Sequence, residues 1–229
     1  MVSVVVDIDV PDAPVWGARV RARSSRKILN VARWLVELDG IDGLSMRRLA
    51  NEADVSVRTI YNLFGDKDGL LEALVRDSFD AMDAAVGDLD AKDPIDRIWQ
   101  AVTIAIDVNC RYVPKAIVNA IVTDARLQRN LSTHWPGLDL TLEAIRTATR
   151  SRALRADLAP EALFEHAGAV FLHLLWRWSR GDIDQPALTA GVLHAFDVSL
   201  LAVATPRTRQ RLLQHIARLE PLLPHHVAR

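Results

Sequence analysis

Residues 44–67 read Leu-Ser-Met-Arg-Arg-Leu-Ala-Asn-Glu-Ala-Asp-Val-Ser-Val-Arg-Thr-Ile-Tyr-Asn-Leu-Phe-Gly-Asp-Lys and decide the fold of the N-terminal part. They predict two short helices separated by a tight turn at residues 53–55. Ser45 and Ser56 stand where each helix would begin, and a serine oxygen there accepts a hydrogen bond from a free backbone N–H group. In the second helix Ile60 and Phe64 are four residues apart, so they share an inward face.

The same spacing leaves a second stripe on the outer side of the second helix. Val57, Arg58, Tyr61 and Asn62 form it, which gives a small side chain, a cation, an aromatic hydroxyl and an amide. A helix-turn-helix presents a stripe of this kind to the major groove of DNA. We therefore interpret the second helix as a recognition helix.

The pattern extends on both sides of this stretch. It runs through Ile28-x3-Ala32, Gly40-x2-Gly43-Leu44, Arg47-x-Leu49-Ala50, Val55-Ser56-x2-Thr59-Ile60-Tyr61-x2-Phe64 and Asp66-Lys67-x2-Leu70-Leu71. Over residues 24–75 the chain closely resembles the TetR (tetracycline-repressor-like) family of bacterial transcriptional regulators. The resemblance implies a three-helix DNA-binding head, followed by a helical body that binds a ligand and dimerises.

Two positions depart from the family pattern. The turn position usually held by glycine is Asp54, and Leu63 replaces a residue that is often aromatic or histidine. Aspartate tolerates a left-handed backbone better than most residues, so we expect the turn to form. Leu63 removes one phosphate donor, whereas Lys67 matches the expected phosphate contact. The predicted DNA-binding residues are Ser45, Arg47, Arg48, Ser56, Val57, Arg58, Thr59, Tyr61, Asn62 and Lys67.

Charge is unevenly distributed along the chain. Ten Arg/Lys and six Asp/Glu lie between Arg19 and Lys67, so this part carries +4 and the remainder −5 of the total of −1. A basic head on an acidic body suits a DNA-facing module, although a chance asymmetry of solvated faces is the alternative. The cluster Arg19, Arg21, Arg23, Arg26 and Lys27 either contacts phosphates or the minor groove, or is a solvated lead-in.

Several classes of protein are disfavoured. Cys110 is the only cysteine, which is consistent with a reducing cytoplasm, and a packed thiol is favoured there over a redox sensor. No apolar run is long enough to span a bilayer, and the N-terminus lacks the basic region of a signal peptide. Phosphate-loop, zinc-protease, cysteine-pair and nucleophile-elbow motifs are missing, so we expect no enzyme, no cofactor and no metal. A metal-binding or proton-sensing site at His166, His173 and His194 is the less favoured alternative.

Helical periodicity dominates the rest of the chain, which predicts an all-α fold. We expect a flexible arm at 1–18, a helix-turn-helix domain at 19–70 with a connecting helix continuing to about 87, and an effector-binding and dimerisation domain at 88–229. The first helix should run from about Ser25 to Leu38 and end at Gly40 and Gly43. Further helices are expected from Pro94, at 113–130 and at 138–156, with a turn at Trp135-Pro136-Gly137.

Two adjacent helices near the C-terminus, 160–180 and 186–204, carry apolar residues on more than one face. One side can meet the core of the body and the other needs a partner. They predict a homodimer through a four-helix interface, with Val192 or Phe196 as the expected interface positions. The alternative is a pair of central helices in a monomer.

Apolar and aromatic residues of the body suggest a pocket for a small apolar or aromatic effector. The candidate ligand-binding residues are Trp99, Val102, Ile106, Trp135, Phe171 and Trp176, and plain core packing is the alternative for each. The sequence thus predicts a cytoplasmic homodimeric regulator, a repressor that a ligand releases from a palindromic operator. The competing interpretations are a helical-bundle adaptor or an all-α enzyme with a vestigial helix-turn-helix.

Overall fold

The computed structural model describes residues 15–85, 89–123 and 138–223, and these residues form ten α-helices with no strand. In chain order the helices are α1 (Val15–Asp39), α2 (Met46–Glu52), α3 (Val57–Phe64), α4 (Lys67–Ala85), α5 (Pro94–Tyr112), α6 (Lys115–Thr123), α7 (Leu138–Arg150), α8 (Pro160–Ser179), α9 (Gln185–Leu201) and α10 (Pro206–Leu219), followed by a 3₁₀ turn at Glu220–Leu222. The predicted all-α class is confirmed. None of the helices in these ranges is long and apolar enough to cross a membrane.

The chain divides into two compact units between Ala73 and Leu74, which is a position inside α4. We call the described residues of the first unit, 15–73, the head, and those of the second unit, from Leu74 onward, the body. Each unit has its own buried apolar core.

Helices α1, α2 and α3 bury one side each in the head. Ile28, Ala32 and Leu35 of α1, Leu49 of α2 and Ile60 of α3 are all fully buried. Val36 of α1 is fully buried as well, whereas Val31 is half-buried. Gly40 ends α1 with a positive φ of 72°.

Helix α1 begins at Val15, ten residues before the predicted start at Ser25. The last four residues of the predicted arm at 1–18 are thus helical, and residues 1–14 lie outside the described part of the chain. Periodicity could not reveal this extension because residues 21–27 bury no side chain. Alanine and arginine, which are frequent at 18–23, favour a helix without any core contact.

The body packs α5 against α7 and α9, and α8 against α6, α7 and α9, while α10 lies on α9. Helix α7 ends at Arg150, six residues before the predicted end at 156, because Arg152 adopts a positive φ of 60° and turns the chain. The Ala153 carbonyl then accepts hydrogen bonds from the hydroxyls of Thr205 and Thr208, at 3.1 and 2.8 Å. The predicted turn at Trp135-Pro136-Gly137 lies outside the described residues.

Helix α9 contradicts one prediction about the dimer interface. Val192 and Phe196 are 1% and 3% exposed in the single chain, so they belong to the core of the body. Apolar residues surround α9 on nearly all sides, and periodicity therefore could not tell which face turns inward.

Candidate nucleic-acid interface

The two serine caps hold α2 and α3 at the predicted positions. Ser45 Oγ accepts the backbone N–H of Arg48 at 3.1 Å, and Ser56 Oγ accepts that of Thr59 at 3.0 Å. Between the helices Asp54 adopts a φ of +50°, which is the left-handed conformation expected at this turn. The predicted helix-turn-helix geometry is confirmed, including the tolerance of aspartate in place of glycine.

Helix α3 separates its inner and outer residues as predicted. Ile60 is fully buried and Phe64 is half-buried, whereas Arg58 and Asn62 are exposed and Tyr61 is 49% exposed. Val57 is half-buried at the start of the helix. A cation, a phenol and an amide therefore stand together on the solvent side of an eight-residue helix whose other side is fixed in the core.

The hydroxyls at the start of α3 are partly committed to the fold. Ser56 Oγ and Thr59 Oγ1 lie 2.8 Å apart and share one hydrogen bond. Only one of the two hydroxyl hydrogens is used between them, so the pair retains one donor for an external acceptor.

Arg47 and Arg48 of α2 have different surroundings. Arg47 is exposed, while Arg48 is half-buried and its guanidinium forms an ion pair with Asp39 at the end of α1. The side chain of Arg48 therefore ties α2 to α1. We did not anticipate this pair, because the two residues belong to different helices.

A tight corner places Lys67 close to the end of α3. Gly65 has a φ of +79°, and a Cβ on Gly69 would lie 2.1 Å from the carbonyl oxygen of Phe64. Asp66 Oδ1 accepts the backbone N–H of Gly69 at 2.8 Å and so caps α4. Lys67, half-buried, is the first residue of that helix, as predicted, and Leu63 is half-buried on α3.

The predicted effector residues of the body lie in unequal surroundings. Val102, Ile106 and Phe171 are at most 2% exposed and pack in the core. Trp135 lies outside the described residues. Trp176 is half-buried beside the ring of His173, and the guanidinium of Arg180 lies 4.7 Å from its ring centre. Their role in binding a ligand stays a prediction.

Trp99 takes part in a largely buried polar cluster. Its Nε1 donates to Asp197 Oδ1 at 2.7 Å, and His215 Nδ1 lies 2.6 Å from Asp197 Oδ2. Asp197 is fully buried. Burial raises the pKa of Asp197, and it outweighs the opposing effects of the Trp99 N–H and of His215 and His194.

Helix α10 places two further side chains against Trp99. The His215 ring centre lies 4.0 Å from the Trp99 ring centre, and the Arg211 guanidinium lies 5.4 Å from the Trp99 ring centre. Arg211 also forms ion pairs of 2.6 Å with Asp93 and with Asp96. We missed this cluster in the sequence because its members come from three helices, and no spacing rule connects α5 with α9 and α10.

The described part of the body has a groove with a volume of about 430 Å³. It is lined by Gln185, Pro186, Thr189, Ala190, Leu193, Leu219 and Leu222. None of the six predicted ligand-binding residues contributes to it.

Within the described residues the histidines form no metal-binding group, and burial disfavours the reactive form of Cys110. No group of three His, Cys, Asp or Glu residues within 15–85, 89–123 and 138–223 is placed to hold a metal ion. His166 and His173 are exposed and His194 is half-buried. Burial, helped by Asp107, raises the pKa of the Cys110 thiol to about 12 and so disfavours the reactive thiolate.

Comparison with known proteins shows which family the N-terminal part of the chain resembles. Residues 28–74 match the family of bacterial regulatory proteins called the tetR family. No curated protein matches the chain.

Solved structures share the fold across both units. A crystal structure assigned to a TetR-family transcriptional regulator from Rhodococcus sp. has a TM-score of 0.61 at 21% identity, and the match covers 78% of this chain and 99% of that one. A second, assigned to such a regulator from Mesorhizobium loti, has a TM-score of 0.56 at 20% identity over 88% and 96%. RolR without ligand has a TM-score of 0.58 at 13% identity over 87% and 98%.

Proposed function

We propose that the chain is a transcriptional regulator of the TetR family, a repressor that binds a palindromic operator as a homodimer and leaves it when a small ligand binds the body. The outer face of α3 carries this proposal. Arg58, Tyr61 and Asn62 are exposed there, on a helix fixed by Ile60 in the core and by the Ser56 cap. A rigid helix with donors of this kind suits direct reading of base edges in the major groove.

The residues around α3 suit the phosphate backbone. Lys67 stands at the N-terminus of α4 and Arg47 is exposed on α2. A DNA phosphate beside Lys67 would also interact favourably with the free N–H groups at that helix end. In this proposal Arg58 and Asn62 specify the sequence, while Lys67 and Tyr61 position the head.

Apolar side chains left exposed on α8 and α9 support the homodimer. Val170 and Leu172 of α8 are 37% and 41% exposed, and Val198 of α9 is 47% exposed. His166 and His173 are exposed on α8, and Ala195 is half-buried on α9. TetR-family regulators typically dimerise, and pairing these two helices with their symmetry mates would bury this surface in a four-helix interface.

Ligand release would operate by a shift between populations. Two half-sites of a palindrome lie about 34–36 Å apart, so the dimer binds tightly only when its recognition helices match that spacing. A ligand that binds the body more tightly in another conformation lowers the population of the matching one. In this proposal the protein acts in the cytoplasm, where the DNA and the effector are both accessible.

The deciding experiment is enrichment of genomic DNA fragments by the purified full chain, followed by sequencing and gel shifts. We expect enriched fragments to share a palindromic element, and the shift to be abolished when one half-site is scrambled. Binding of all fragments alike would contradict sequence-specific regulation, and binding of none would favour the helical-bundle adaptor with a vestigial helix-turn-helix.

A further inference from the structure

The first part of α1 carries cations on a face that the helix-turn-helix does not use. Arg21, Arg23, Arg26 and Lys27 are all exposed, and none of them forms an ion pair within the described residues. Arg23, Arg26 and Lys27 follow a spacing of three and four residues, which places them on one side of the helix. We call these three residues the basic face.

The basic face points away from the core of the head. Ile28, Ala32 and Leu35 mark the inward side of α1, and the helical repeat places Arg23, Arg26 and Lys27 roughly opposite to it. No side chain from Arg21 to Lys27 is buried. Residues 21–27 of α1 therefore contribute nothing to the core of the head, and they are about 10 Å long at the usual helical rise.

Charge repulsion makes this part of α1 costly without a partner. Between Val15 and Val36 the chain has no Asp or Glu. Like charges three or four residues apart destabilise a helix, and neither an ion pair nor core packing offsets this for the basic face in the described structure. An extended polyanion alongside would relieve it.

We propose that the basic face binds the phosphate backbone of duplex DNA next to the groove that α3 enters. This inference rests on the proposed function and adds contacts to it. The basic face belongs to the same compact unit as α3, and in this proposal both engage one duplex. Exposed Asn30 and Trp34 continue the same side of α1, but the three residues of the basic face itself are all cations, which suit phosphate oxygens. It therefore adds affinity and salt dependence, while sequence preference stays with α3.

The test compares three full-length variants with the wild type on the enriched operator duplex. The first is Arg23→Gln, Arg26→Gln and Lys27→Gln, since glutamine removes the charge and favours a helix nearly as well. The matched control is Arg207→Gln, Arg209→Gln and Arg218→Gln, which removes three exposed cations from α10 of the body. The third, Arg23→Lys with Arg26→Lys, keeps the charge and controls for local packing.

We expect only the first variant to reduce the slope of log affinity against log salt concentration. The reduction should be about 0.9 for each lost phosphate contact, or about 2.7 for each head, with the order of preference among operator mutants unchanged. The lysine variant and the α10 control should retain the wild-type slope.

Two results would overturn the inference. One is an unchanged salt slope in the triple glutamine variant while the wild type binds its operator specifically, because the proposed function would then stand without the basic face. The other is a slope that falls equally in the α10 control, which would indicate a general charge effect. Failure of the wild type to discriminate between duplexes would instead contradict the proposed function itself. Equal helical circular dichroism of all variants confirms that folding is not the cause.

Discussion

At the scale of single residues, the structure separates side chains that are free to meet DNA from those committed to the fold. Arg58 and Asn62 are exposed, whereas Arg48 is held by Asp39 and the hydroxyls of Ser56 and Thr59 bond to each other. A free guanidinium can form two parallel hydrogen bonds to the edge of a guanine. Arg58 is therefore the residue on which sequence preference should depend most.

Replacing Arg58 by alanine tests this assignment. If Arg58 contacts a guanine, Arg58→Ala should weaken operator binding by about 1–3 kcal/mol and relax preference at one base pair per half-site. Lys67→Ala is the contrasting control, since a phosphate contact should weaken binding to all sequences alike and lower the salt slope by about one. Titration of each variant against a panel of single-base operator mutants measures both effects. Uniform weakening by Arg58→Ala would reassign Arg58 to the backbone.

Asp197 is the residue on which the stability of the body should depend. Asp197→Ala leaves the Trp99 N–H and a ring nitrogen of His215 without an acceptor or partner, at about 1–3 kcal/mol for each buried group. Asp197→Asn can still accept from Trp99 through its Oδ1, and its amide can donate to the other tautomer of His215. We expect denaturant unfolding to show a large loss of stability for alanine and a small one for asparagine.

The same pair of proteins gives a pH test with a defined sign. Because the pKa of Asp197 is raised above its ordinary value of 3.8, the folded protein keeps this proton to higher pH than the unfolded chain does. Its contribution to stability is therefore full below about 3.8 and is lost as pH rises through the folded-state pKa. The stability of the wild type relative to Asp197→Asn should fall with rising pH in this window. A relative stability that rises instead would mean that charge pairing with His215 dominates over burial.

At the scale of helices, α8 and α9 each have one face in the core of the body and some apolar residues outside it. The inward positions of α9 include Val192 and Phe196, whereas Val198 is exposed. An aspartate introduced at Val192 or Phe196 to disrupt the dimer would unfold the protomer, because it would place a charge in the core. Val198 is the position that can separate dimerisation from folding.

Val198→Asp is therefore the mutation that tests the proposed dimer. An uncompensated charge buried by association costs about 3–5 kcal/mol, so sedimentation should show a monomer at concentrations where the wild type is a dimer. Leu213→Asp is the matched control, since Leu213 of α10 is 46% exposed, close to the 47% of Val198. Helical circular dichroism of Val198→Asp equal to that of Leu213→Asp would show that the protomer is still folded. A wild type that sediments as a monomer at micromolar concentration would contradict the dimer without any mutant.

At the scale of the whole molecule, the proposed regulator requires that effector and operator oppose each other. Binding free energies are linked, so a ligand that lowers operator affinity by some factor must have its own affinity lowered by operator by the same factor. Trp99 and Trp176 are half-buried in the body, and their emission can report a ligand or a change in packing.

A thermal-shift screen of apolar and aromatic compounds should therefore yield ligands that stabilise the full chain. The gain is about 2.7 kcal/mol at one hundred times the dissociation constant. Operator titration with each hit, and ligand titration with and without operator, should show affinity lowered by the same factor. A hit that leaves operator affinity unchanged would argue against a switch, and one that tightens operator binding would indicate a co-repressor.

Local signals in the sequence determined the architecture of the head and the all-α class. The caps at Ser45 and Ser56, the turn at Asp54 and the inward position of Ile60 follow from interactions within a few residues, and such interactions leave a regular spacing. In the body, the helices that begin at Pro94 and Pro160 start where the sequence predicted.

Tertiary structure alone decided which surfaces meet. Asp197 contacts Trp99 and His215 across three helices, and no periodicity connects residues so far apart in the chain. Helix α9 is apolar on nearly all sides, so its sequence could not say that Val192 faces inward and Val198 outward. The extension of α1 buries nothing between Arg21 and Lys27, and without burial a helix leaves no apolar stripe from which to predict it.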